Sequence, residues 1–135
     1  MTAASNYLEN KVLDHVLKNT AYTQPSNLYL GLFTNSSTNA ATNLEAGTLT
    51  DEVSGGSYAR KAVAFSAASS GTAATSATVT FDAASASWGT ITHVAVIDAI
   101  TSGNVLFWGA VTTSKTIDSG DTFQVSSGNL TISLA

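Results

Sequence analysis

From Pro25 onwards the apolar residues of this chain come in short runs fenced by small polar residues, and that punctuation leaves no room for a long helix. The runs are "LYLGLF" (residues 28–33), a stretch over residues 58–65, "TVTF" (78–81), "ITHVAVI" (91–97), "VLFWGAV" (105–111), "TFQV" (122–125) and "LTISL" (130–134). Between them lie "TNSSTNAATN", "SAASSGTAATSA", "DAITSGN", "DSGD" and "SSGN". Asn, Asp, Ser and Gly favour turns through their side-chain hydrogen bonds or their tolerance of positive φ. About seven short strands at this spacing predict a mainly β protein, an antiparallel β-sandwich or barrel.

Before Pro25 the pattern is helical. Leu8, Val12, Leu13, Val16 and Leu17 recur on one stripe. Asn6 can cap the start, with Glu9 three residues on completing a capping box, while Asn19 suits the exit. The chain thus reads as a single domain, 1–135, with one N-terminal α-helix (5–18, regular from Asn6 to about Lys18) and a β-module over 26–135. No second helix is expected.

Two runs carry a further constraint. "LTISL" alternates, so one of its faces meets solvent, whereas "HVAVI" and "VLFWGAV" are apolar on both faces. Side chains alternate along a strand, so Phe107 and Trp108 point to opposite sides, and a helix, a loop or a second subunit must cover the second side. Charged residues make up only 10% of the chain, and charge is what normally keeps proteins apart. Together these features predict a homo-oligomer, with a trimer as the expected form. Val12 and Leu17 on the helix, and Trp108 on the strand, are the apolar candidates for contact with a neighbour.

Charge also limits the partners. A net charge of −4 with five basic residues cannot form the positive face that nucleic acid requires. No apolar run approaches the length of a membrane span, and the first residues lack the pattern of a secretory signal. These features predict a soluble protein made in a cytoplasm. The chain has no cysteine, so thiolate metal sites and disulfides are excluded.

Catalytic motifs are weak. "GGSYA" (residues 55–59) approaches a nucleophile elbow at Ser57, but that motif needs a strand before the Ser and a helix after it. "GGSYARK" lacks the spacing of a phosphate-binding loop. His15 and His93 stand without convergent ligands, and Asp118 and Asp121 supply too few oxygens for calcium. No enzyme activity, cofactor or metal is expected. The adjacent cations Arg60 and Lys61, with Tyr58 at the start of the same run, are candidates for docking onto an acidic surface. The alternative is a charged strand edge that blocks unwanted pairing.

The ordered segments "SNYLENKVLDHVL", "TQPSNLYLGLFT", "EVSGGSYARKAVAF", "SWGTITHVAVIDA", "NVLFWGAV" and "KTIDSGDTFQVSSGNLTISL" resemble a family of small tailed-phage virion proteins, often labelled tail-fibre-like. The resemblance runs from Ser5 to Leu134. It implies a structural component of the virion, made in the host cytoplasm, whose partners are the major capsid protein or tail proteins. Within that implication the expected role is capsid decoration, or cement. A tail-fibre or tail-adaptor subunit is the alternative. A carbohydrate-binding module using Trp88 or Trp108 as a platform is the reading from another class.

Overall fold

A computed structural model describes residues 3–134, so the outermost residues of the expected 1–135 domain lie outside the described residues. Strand β1 (Ala3–Ala4) leads into helix α1 (Asn6–Leu17). The cap expected at Asn6 is one residue earlier, at Ser5. Ser5 has an extended backbone, and its Oγ accepts the Leu8 N–H at 3.3 Å. The same hydroxyl donates to the Val105 carbonyl, and the Ser5 N–H donates to the Leu106 carbonyl at 2.9 Å. Capping and anchoring therefore fall on one buried side chain, which a sequence pattern cannot separate. Asn19 does mark the exit, in the left-handed region at φ 56°.

Among the described residues there are nine strands, seven of them on the apolar runs of the sequence, and every pairing among them is antiparallel. The main sheet contains β2 (Leu28–Phe33), β3 (Lys61–Val63), β6 (Gly89–Ile97) and β7 (Val105–Ile117), in the order β1-β7-β6-β2-β3. Two ribbons complete the β structure: β4 (Thr72–Ala74) pairs with β9 (Thr131–Ser133), and β5 (Val79–Thr80) with β8 (Gln124–Val125). The mainly β, antiparallel expectation holds, with more strands than expected and, among the described residues, no closed barrel. Strand β7 runs past the expected end, and its register against β6 slips between Ile91↔Lys115 and His93↔Ala110. Extra residues on β7 there form an irregularity that bends the strand.

Besides β1, two elements escaped the sequence pattern, and α2 (Ala40–Glu45) corrects the expectation of no second helix. This short helix sits in the polar stretch after β2, where its composition reads as loop. Strand β4 sits in the Ala/Ser/Thr stretch. α2 buries only Ala40 and Leu44, and β4 is half-buried throughout, so neither shows a periodic apolar signal.

α2 matters because it resolves the doubly apolar strands. One face of the main sheet, with Leu30, Leu32, Val94 and Val96, packs under Phe81, Trp88, Phe123, Val79 and Ile132 from the loops and ribbons. The other face, with Phe33, Ala95, Ile97 and Val105 and the part-exposed Trp108 of β7, is covered by Leu44 of α2 together with Leu49. The chain covers most of both faces itself, with Phe107, Trp108 and Val111 left part-exposed, so a second subunit is not the principal cover of these strands.

Candidate interaction surfaces

The segment over residues 52–63 folds inward. Gly55, Gly56 and Ser57 are consecutive left-handed residues at φ 75°, 58° and 65°. A Cβ at Gly56 would lie 2.9 Å from both the Ala86 carbonyl oxygen and the Trp88 Nε1, so this position needs glycine for space as well as conformation. Ser57 Oγ donates to Ser85 Oγ at 2.8 Å, and no helix follows it. It is a turn residue.

Tyr58 then leaves the strand path and packs its ring against Phe81 and Trp88. Its hydroxyl accepts the Leu32 N–H at 3.0 Å and donates to Glu52 Oε2 at 2.9 Å. Here a side chain takes the place of a neighbouring strand on the edge of β2. Burial, and then the charge of Glu52, push the phenol well above its ordinary pKa, so it stays a donor.

Arg60 corrects the expectation of an exposed cation. It is buried, and its Nε and Nη2 donate to the two carboxylate oxygens of Glu52, each at 2.7 Å. Its Nη1 donates to the carbonyls of Ala99 and Ser102 at 2.6 and 2.7 Å. Those carbonyls belong to the turn over residues 98–104, so the guanidinium ties the β6–β7 hairpin to the segment before β3. Burial opposes the charge, but the Glu52 bonds outweigh it and raise the pKa. Lys61 alternates to the outside, where it meets Asp82 at 2.9 Å in a solvated pair. The two cations are neighbours in sequence and opposites in role.

Asp51 is another buried charge, and sequence reasoning missed it. Ser37 donates to it through both its N–H (2.8 Å) and its hydroxyl (2.7 Å), Ser36 at 3.1 Å and Asn43 at 3.2 Å. Burial works against the carboxylate, yet the bonds from Ser37, Asn43 and Ser36 hold its pKa below the ordinary value. The only signal in the sequence is a run of Ser and Asn, which also reads as a flexible loop.

His15 Nδ1 accepts the Tyr22 N–H at 3.1 Å, and His93 lies beside Thr92 and tilts toward Trp108. Among the described residues no group of His, Asp and Glu could hold a metal ion, and no helix is long and apolar enough to cross a membrane. Trp88 is 5% exposed, with its Nε1 bonded to the Gly56 carbonyl at 2.8 Å, so it offers no platform to a ligand. Trp108 is half-buried, and its Nε1 donates to Glu45 Oε2 at 2.7 Å.

The helix stripe is where the fold leaves apolar surface uncovered. Only Leu8 is buried on α1; Val12, Leu13, Val16 and Leu17 are 39%, 54%, 69% and 77% exposed. Val12 and Leu17, the helix candidates for contact with a neighbour, therefore face solvent, because α1 is held at its first turn and projects the rest of its stripe outward.

Among the described residues the buried polar groups brace turns, and the apolar face of α1 is turned to solvent. Over residues 3–133 the chain matches the family described as podophage GP4 fiber I protein gp80, and it belongs to that family. It is a phage fibre-type structural protein, in line with the small tailed-phage virion family that its ordered segments resemble. No match to a curated protein was found.

Proposed function

We propose that this chain is a non-enzymatic subunit of a tail fibre or its adaptor, and that it docks on a neighbouring virion subunit through the exposed face of α1. The observation that carries this reading is the row Val12, Leu13, Val16 and Leu17, solvent-facing on a helix whose first turn is pinned by Ser5 and Leu8. Burying a Val or Leu side chain is worth about 1.5–3 kcal/mol, so a row left wet has an obvious use at a contact.

Membership in a fibre family favours the tail over the capsid-decoration role expected from the sequence. Copy number distinguishes them. Quantitative densitometry of intact particles should give a small fixed number of copies per virion. Abundance approaching that of the major capsid protein would restore the cement reading. In parallel, Leu17→Asp should fold normally yet be missing from assembled particles; normal incorporation would refute the docking role of α1.

A further inference from the structure

We infer that the N-terminal arm, β1 with α1, is exchanged between copies of this chain in the assembled virion, each arm seated on the β7 of its neighbour. The inference goes beyond the docking reading and stands on the seat of the arm, not on the α1 stripe, so either can fail alone.

The arm is a unit with a narrow footing. The Lys18 and Thr20 N–H groups both donate to the Asp14 carbonyl at 3.0 Å, and the Tyr22 N–H donates to His15 Nδ1 at 3.1 Å, so the chain stays tied to α1 as far as residue 22. On the module the arm rests chiefly on β7. Ala3 pairs with Trp108 and Ala4 with Phe107 on the outer edge of that strand. Ser5 bonds the Val105 and Leu106 carbonyls, and Leu8 is buried. Backbone pairing to a strand edge is a contact that another chain can supply equally well, because every copy carries the same donors and acceptors.

The segment joining arm to module has the properties of a hinge. Residues 23–27, "TQPSN", make no hydrogen bond among the described residues, and all are exposed except the half-buried Pro25. Pro25 has no N–H and biases Gln24 to an extended backbone, so the segment favours an open form. Straightened, it spans about 17 Å, which lets the arm leave its own β7 without unwinding α1. Exchange replaces each arm contact with an identical one, so the two forms differ in the hinge and in local concentration. An arm on a short linker meets its own seat at an effective concentration in about the millimolar range, so a dilute chain keeps its arm. Subunits held side by side on a particle reach that range, and there the arm crosses over. Two modules then lie around α1, which gives its exposed stripe a second surface to meet.

The chain has no cysteine, so a cysteine pair at facing positions of β1 and β7 reports whose arm is seated. Facing antiparallel residues have Cα atoms about 4.5–5.5 Å apart, within disulfide range. Ala4→Cys with Phe107→Cys should form a disulfide within one chain when dilute protein is oxidised. In purified particles carrying the same variant, oxidation should link most copies into dimers or larger species on a non-reducing gel, and neither single variant should do so. Links confined to single chains in particles would overturn the exchange. Absence of any disulfide in particles would overturn it too, since no arm would then be seated on β7. If this pair keeps the protein out of particles, Ala3→Cys with Trp108→Cys, the next facing pair, is read in the same way. Loss of Leu17→Asp from particles bears on the docking reading alone.

Discussion

Arg60 and Lys61 show how little a residue's type reveals about its use. Arg60 bonds Glu52 and two turn carbonyls, whereas Lys61 makes one solvated pair. Arg60→Met should cost about 3 kcal/mol in urea denaturation, because it strands the Glu52 carboxylate and frees two carbonyls. Lys61→Ala should stay within about 0.5 kcal/mol. Asp51 gives a pH dependence of known sign. Its pKa is lowered in the fold, so its contribution is present above the unfolded value, about 4, and is lost as pH falls through the folded value. Melting temperatures measured from pH 6 to pH 2.5 should drop on acidification, and Asp51→Asn should flatten that drop while lowering stability at neutral pH.

At the scale of elements, α1 is the instructive case. Its stripe is a clear sequence signal, and α1 itself forms where the pattern puts it. A stripe records only that one side is apolar; it does not say what covers it. Because Val12 and Leu17 are exposed, Val12→Asp and Leu17→Asp should each cost less than about 1 kcal/mol in the isolated protein, mainly through helix propensity. Leu8→Ala should cost about 2–4 kcal/mol, since Leu8 is the buried member. Chemical denaturation of the three variants checks this directly. Equal losses would mean that the whole stripe packs on the module. α2 is the converse: a helix of one and a half turns, too short to show periodicity, that covers a sheet face through Leu44.

For the whole molecule, the coverage of both sheet faces by α2, the ribbons and the loops changes what association is expected. The doubly apolar strands are largely covered from within the chain, so among the described residues the α1 stripe is the longest row of exposed large apolar side chains. A specific interface usually buries well over 1,000 Å² in total, more than a few exposed side chains on each side can supply. Light scattering at micromolar concentration should therefore report mainly the 13.8 kDa monomer. Association should appear only at higher concentration and disappear in Leu17→Asp. A stable trimer at micromolar concentration would show that a different surface drives assembly.

The sequence by itself determined the class of fold, the first helix and the positions of most strands. These follow from local rules: period, turn residues and the exclusions set by Pro25 and the glycines. Tertiary structure decided everything that depends on residues far apart. It brought Glu52 and Tyr58 to Arg60, put Trp88 behind Gly56, and set α2 over Phe33 and Ile97. It also left the α1 stripe facing solvent. Burial is a property of what packs opposite a residue, and no local pattern encodes its partner.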